Sequence, residues 1–419
     1  MKLFMPFTTT LLLGLLALKA QATLFSGAMQ LQDPVAGMLE LAPLPVSSPA
    51  GLSLRFGLAS SFEVRNDHLS FSLWNRYAGD SLDTAAKQAL LDDLGGQLAS
   101  TAEARLPLLE VSWSDSSGHG AAVQVAMEGQ GAQRLDLSLL DSFFMGNDPT
   151  QPLVVSQADM GAEALLRFRM AWSAPLPWTA GGFLKKPSYG VGLLLEKGQG
   201  WTRTHSFNGQ VEPLVGELEA HFTHVQDRSG SGSGHALDLA LQEERPLAGA
   251  PLRVQAALRG LFHRQTWKDV ERTERSFILP STPIGSTFDF EAFTVDVQDT
   301  SLTRHVGDLG RTLEAGWMLA ADWSKGRWRH SLLAEEAPED MRGAGRKRLS
   351  AASTWRPFGG AFLLGAQLAG GFGRGPALGA LGGWQGDHLS LALGATSFAG
   401  LGNASRGVRL AVDCRWILH

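Results

Sequence analysis

The chain has 419 residues, a formal charge of −5 and one cysteine, Cys414. Its basic residues are scattered, which excludes an electrostatic footprint for nucleic acid, and the lone cysteine excludes an internal disulfide framework or a multi-cysteine metal site. The 49 Gly and 12 Trp, with Gly and Pro at short intervals, favour β structure over helical domains.

The N-terminus reads as an export signal. Lys2 starts it, an apolar run is densest from Leu11 to Leu18, and Ala20-Gln21-Ala22 supplies small residues for cleavage after Ala22. Without Lys2 and Lys19 the charge is −7. No later stretch, Phe362 to Phe372 included, reaches the ~20 consecutive apolar residues of a spanning helix. Residues 23–50, with Pro34, Pro43, Pro45 and Pro49, read as an irregular segment, a plug or a tether.

Alternation begins at Gly51. Leu52, Leu54 and Phe56 share one face, and His68 to Arg76 repeats the pattern with Leu69, Phe71 and Leu73. Residues 81–94 then switch to helical spacing, with Asp83 as the cap and Gly95-Gly96 as the stop. A strand from Ala104 pairs with Gly120 to Met127 across Ser114-Asp115-Ser116-Ser117-Gly118. A second helix is expected over 135–146, ended by Gly146-Asn147-Asp148-Pro149.

From Gly161 the pattern is strand and turn. Leu166, Phe168, Met170 and Trp172 oppose Arg167 and Arg169. Further strands centre on Tyr189 to Glu196, Leu214 to Val225, His235 to Glu243 and Leu252 to Trp267. Ser229 to Gly234 reads as a flexible turn and Thr303 to Gly310 as a loop. Leu313 to Trp323 puts its odd residues on one face, with Glu314 and Asp322 on the other. Arg342 to Arg348 reads as a solvated loop between strands. The last strand sets Val408, Leu410, Val412, Cys414, Trp416 and Leu418 against Arg409, Ala411, Asp413 and Arg415.

Strands that alternate, lack a repeat period and follow an export signal fit an all-β protein: a transmembrane antiparallel β-barrel over 51–419. About fourteen to sixteen strands are expected, with helical inserts near 81–94 and 135–146. Trp172, Trp178, Trp267, Trp323, Trp355, Trp384 and Trp416 fall near strand ends, as interface girdles require. A soluble β-sandwich alternates too, with its apolar face inward. The terminal residue His419 departs from the aromatic end usual in such barrels.

The succession of an early strand, the helix Ser81 to Leu94, the strand Leu106 to Trp113, the hairpin to Met127 and the helix Leu137 to Asp148 resembles a group of bacterial outer-membrane barrels. That group includes FadL-like fatty-acid transporters, PorV-like secretion proteins and TraF-like plasmid-transfer proteins. The resemblance covers about a third of the chain. An Asn-Pro-Ala segment is lacking; Glu40-Leu-Ala-Pro43 sits roughly where it would fall. The resemblance implies an outer-membrane location and helices inserted near the wall or lumen. The implied partners are outer-membrane lipid, the barrel-insertion machinery, and a small apolar ligand or a periplasmic protein.

No Gly-x-Ser-x-Gly elbow, His-Glu-x-x-His helix, Walker loop or dinucleotide fingerprint is present, so the chain reads as a non-enzyme without cofactor or metal. His221 and His224 fall on opposite strand faces and are poor joint metal ligands. His235, His330 and His388 lie on strands, where a lipid hydrolase would need a Ser partner at one rim. The candidate lumen-lining residues are Arg167, Arg169, Glu217, Glu219, Arg253, Arg259, Glu314, Asp322, Arg409, Asp413 and Arg415. The expected function is to pass or bind small or apolar ligands across the outer membrane. The alternative is a structural barrel anchoring a secretion or surface partner.

Overall fold

The structure, a computed structural model, describes residues 53–66, 70, 84–94, 97–114, 119–136, 153–156, 159–176, 187–214, 217–283, 298–337, 346–357, 362–370, 376–385, 389–398 and 405–418. The signal segment, residues 23–50, the expected strand at 68–76 apart from Ser70, Trp178 and His388 lie outside them.

The described strands are β1 (Ser53–Asn66), β2 (Gln97–Ser114), β3 (Gly120–Asp136), β4 (Leu153–Ser156), β5 (Asp159–Pro175) and β6 (Ser188–Leu214). Next come β7 (Glu217–Ser229), β8 (Ser231–Leu247), β9 (Ala250–Pro283), β10 (Gln298–Thr312), β11 (Gly316–Lys325) and β12 (Trp328–Ala337). The last are β13 (Arg346–Trp355), β14 (Phe362–Gly370), β15 (Ala377–Gln385), β16 (Leu389–Phe398) and β17 (Gly407–Leu418). Every pairing is antiparallel, and the sheet closes where β1 meets β17, Leu54 opposite Leu418 and Arg65 opposite Gly407. The closed ring has 14 strands and runs β1-β2-β3-β5-β6-β8-β9-β11 and on through β17. Closure leaves no open edge in the ring, which is what lipid demands of a spanning sheet.

Four strands outgrow the ring. β9 has 34 residues, whereas β11 to β16 have 9 or 10 each, close to one tilted crossing. β7 and β8 continue one line against β6 and then β9, interrupted only at Gly230. Ser229 to Gly234 is therefore a break within a strand and not the expected turn. Ser229 Oγ holds the break by donating to the Lys268 carbonyl at 2.6 Å. Likewise β10 and β11 form one line along β9, so Thr303 to Gly310 is strand and not loop. The upper parts of β6, β7, β9 and β10 project past the rim as a charged sheet.

The two ends differ in their connections. Where β1 begins and β17 ends, strands are joined by residues 115–119, 176–187, 248–249, 326–327, 356–361 and 386–388. The other end uses longer stretches, including 67–96, 137–152 and 284–297.

One helix is described, α1 (Thr84–Leu94), in the 67–96 connection. Gln88 Nε2 donates to Asp92 Oδ1 one turn on, at 3.0 Å. The second expected helix is corrected at its start: Leu135 and Asp136 are the last residues of β3, extending the alternation that precedes them, and 137–146 lie outside the described residues.

Candidate functional site

The side-chain alternation decides between a lipid barrel and a water-soluble one. Leu319, Leu332, Leu364, Leu368, Leu391 and Leu393 point outward and are exposed, at 42–55%. Their strand neighbours Asp322, Ser331, Glu335, Ser350, Gln367 and Gln255 point inward and are buried. A soluble sandwich would show the reverse. Apolar residues outside a closed wall and polar ones inside it are the arrangement that hydrocarbon selects.

The outer face also carries an aromatic belt at the short-turn end. Trp172 meets Tyr189 edge to face at 5.4 Å. On β11, β12 and β13 four rings stack in series, Trp323 on His330 at 5.5 Å, His330 on Trp328 at 6.1 Å and Trp328 on Trp355 at 6.1 Å. Trp384 and Trp416 occupy the same end. Trp267 is the exception to the expected girdle. It is 2% exposed and faces inward, because its face of β9 continues that of His263 and Gln265.

The inner wall is richest in charge along β2, β3, β5, β6 and β9. Glu128 is bridged by Arg167 and lies 3.4 Å from Arg105 and 3.8 Å from Arg169. Arg167 also donates to Glu196 at 2.8 Å, and Glu196 receives His263 at 3.0 Å and Gln265 at 2.7 Å. Arg311 joins Gln265, at 2.7 Å, to Glu163, at 2.5 Å, and Gln130 donates to Glu163. Glu163 and Glu196 are buried, and each takes at least two hydrogen bonds from cationic or amide donors, as burial requires, while Glu128 and Arg167 are half-buried.

Glycine makes the network possible. A Cβ on Gly234 would stand 2.5 Å from the Glu196 carboxylate and 2.9 Å from Gln265 Cγ. Glycine at this β8 position lets side chains of β6 and β9 meet across it. Similarly a Cβ on Gly232 would lie 2.7 Å from the Trp267 ring. Trp267 instead lies flat there, stacked on Trp201 at 5.7 Å and 13°, beside Leu165 and Val270, with Val306 and Leu309 against them. The result is an apolar shelf directly above the charged layer. Both indole N–H groups are buried without a hydrogen-bond partner.

The candidate lumen residues fall into groups. Arg167 and Arg169 belong to the network above. Arg259 is buried against Glu335 at 3.3 Å, and Asp322 is held by Arg329 through two bonds of 2.7 Å. Arg253 reaches Glu244 at 3.2 Å, and Arg409 approaches Glu63 at 3.9 Å. Glu219 is exposed on β7, beyond the rim. Glu314 is exposed and Leu313 buried, the reverse of the expected alternation, because residues 313–315 interrupt the strand line. Glu217 pairs with Leu214 at the tip of the projecting sheet. Asp413 and Arg415 stand opposite Ala392 and Ser390. The side chains of these last three lie outside the described residues.

Sequence reasoning missed Arg105, Glu128, Glu163, Glu196, His263, Gln265 and Arg311. Their signal was present: Glu163 and Arg167 share parity on β5, opposite the lipid-facing Met170 and Trp172. What pairing alone revealed was that β3 and β6 bring carboxylates to both sides of β5.

Beyond the rim the projecting sheet is ion-paired. Asp227 takes two bonds from Arg272, at 2.7 and 2.8 Å, and one contact with His205 at 2.5 Å. Burial acts to raise the Asp227 carboxyl, but Arg272 and His205 outweigh it and hold the group below its ordinary value. Arg275 pairs with Asp299 and Arg304 with Glu274. Among the described residues no group of three or more His, Cys, Asp or Glu is placed to hold a metal ion.

Closed wall, inverted alternation and aromatic belt define a transmembrane β-barrel of 14 strands. Among solved structures the chain is similar to the toluene transporter TodX of P. putida, at 10% identity and TM-score 0.44, over 89% of this chain and 91% of that one. It is also similar to the toluene transporter TbuX of Ralstonia pickettii, at 8% identity and TM-score 0.45, over 92% and 94%. The CymD monoaromatic hydrocarbon channel is similar at 10% identity and TM-score 0.39, over 95% and 94%. No protein-family model and no curated protein matches the sequence.

Proposed function

We propose that this chain is an outer-membrane barrel that passes or binds small apolar ligands. The observation that supports the reading best is the inner shelf of Leu165, Trp201, Trp267 and Val270 above a charge-paired layer, enclosed by a wall whose other face meets lipid. The stacked indoles offer aromatic surface to such a ligand. Inward residues deeper in the barrel, such as Met318 and Gln255, are shielded from solvent at 1% each, so the interior is packed at that level and not a wide bore. In this reading Arg167, Arg169, Arg253, Arg259, Asp322 and Arg409 line and cross-link the lumen. By register Asp413 and Arg415 join them, while Glu217, Glu219 and Glu314 belong to the outer part of the assembly.

The test is uptake of a monoaromatic hydrocarbon, toluene, into vesicles whose outer leaflet carries lipopolysaccharide. Such a leaflet slows apolar solutes that cross plain phospholipid freely. The protein should accelerate uptake, toluene should quench tryptophan emission, and Trp201→Ala should weaken both. Uptake no faster than in protein-free vesicles, with no quenching, contradicts the proposal.

A further inference from the structure

We propose that the open edge of β10 pairs with the same edge of a second copy of this chain, antiparallel and centred on Leu302. The inference rests on the projecting sheet and is independent of what the lumen carries.

β10 is bonded to β9 on one side, and among the described residues no strand pairs with its other side. Gln298 to His305 are all exposed. Their register with β9 is unbroken, from Gln298 opposite Ile278 to His305 opposite Glu271, and it shifts only at Gly307. Such an edge presents a row of N–H and C=O groups to any strand that fits it. Proteins usually blunt these edges with Pro, Lys, a bulge or a covering segment. β10 holds neither Pro nor Lys, and its bulge lies past His305. The flat, uncovered stretch is therefore a template for one more strand.

The side chains select the occupant. Two copies related by a two-fold axis normal to the sheet keep the same face up, so each residue meets one of its own parity and the axis passes through a single residue. Centring on Leu302 sets Asp299 opposite His305, Thr300 opposite Arg304 and Ser301 opposite Thr303, each pair formed twice. No other centre pairs Asp299 with a basic residue of the same stretch. The joined sheet then continues a row of alternating charge. Arg228 stands opposite Glu271, and Glu271 lies 3.9 Å from His305. Across the axis follow Asp299 of the second copy and its Arg275, bonded at 2.8 Å. On the other face Leu302, 60% exposed between Thr300 and Arg304, meets its own counterpart. Parallel pairing of side-by-side copies would instead set Asp299 near Asp299 and Arg304 near Arg304. Antiparallel pairing places the two barrels at opposite ends of the joined sheet, which fits copies in facing membranes.

The experiment is disulfide cross-linking of the full chain in a Cys414→Ser background. Opposed Cα atoms of antiparallel strands lie about 4.5–5.5 Å apart, within disulfide reach. Leu302→Cys should link to itself. Ser301→Cys and Thr303→Cys should each link poorly alone and well when mixed, even when they sit in separate vesicle populations. In detergent the unsubstituted chain should show a concentration-dependent dimer by sedimentation. His305→Asp sets two carboxylates face to face, twice, and should weaken that dimer on the order of ten-fold, whereas D299H/H305D should restore it. Heat-modifiable gel mobility should be the same for every variant, which establishes that each is folded. A monomer at every concentration overturns the proposal. So does Ser301→Cys linking to itself as readily as to Thr303→Cys, or linkage confined to copies within one vesicle.

Discussion

At the scale of single residues, the network around Glu196 and the shelf above it depend on the absence of side chains at Gly198, Gly232 and Gly234. A Cβ at Gly232 meets both the Trp267 ring and, at 3.0 Å, the Thr266 carbonyl, so neither rotation nor a small strand shift relieves it alone. Gly232→Val should therefore destabilise the barrel by roughly 1–3 kcal/mol and displace Trp267, read as a shift in tryptophan emission and a lower unfolding midpoint. The Asp227 carboxyl has a different signature. Its value in the folded chain lies below the unfolded one, so its contribution is present above about pH 4 and is lost as pH falls through the depressed value. Hydrogen-exchange protection of β7 against β9 should drop in acid, and Asp227→Asn should remove that pH dependence. Arg167 and Arg169 were legible in the sequence because they alternate with the apolar Leu166, Phe168 and Met170 at period two. Their partners were not, since Glu128 and Glu196 lie 39 and 29 positions away and meet Arg167 only through pairing of β5 with β3 and β6.

At the scale of elements, each short strand obeys one rule, apolar toward lipid and polar or small toward the lumen. Leu391 and Gln367 are therefore unequal sites for the same substitution. Leu391→Arg should cost roughly 2–4 kcal/mol in urea unfolding from lipid vesicles, whereas Gln367→Arg, on the lumen face, should cost much less. β11 and β17 were readable because alternation is the whole of their pattern, whereas Arg346 to Arg348, read as part of a loop, open β13. The long strands were not. Gly230 punctuates the sequence as a turn does and Thr303 to Gly310 reads as a loop, yet β9 runs past both and supplies partners on either side. Backbone irregularities on β9 let it do so. Gly260 and Phe262 adopt positive φ, 67° and 57°, where its register with β8 shifts. The misreading of Trp267 has the same origin: strand position suggested an interface ring, whereas the projecting sheet carries that part of β9 beyond the belt.

At the scale of the whole molecule, the sequence left open two proteins, a lipid-embedded barrel and a soluble sheet with a buried apolar face. Closure of β1 on β17 and the sense of the alternation separate them. A barrel in lipid has its charges inside, so Arg259 and Asp322 are buried and Arg167 is half-buried, while Leu319 and Leu391 are exposed. The most direct test of that account is a cysteine scan along Gly316–Lys325 in a Cys414→Ser background, in reconstituted vesicles, with a lipid-dissolved quencher against a water-soluble thiol reagent. Positions 317, 319 and 321 should report lipid, and 318, 320 and 322 should not. The reverse pattern, or equal access of the water-soluble reagent to 317, 319 and 321, would contradict a barrel that meets the membrane with this face.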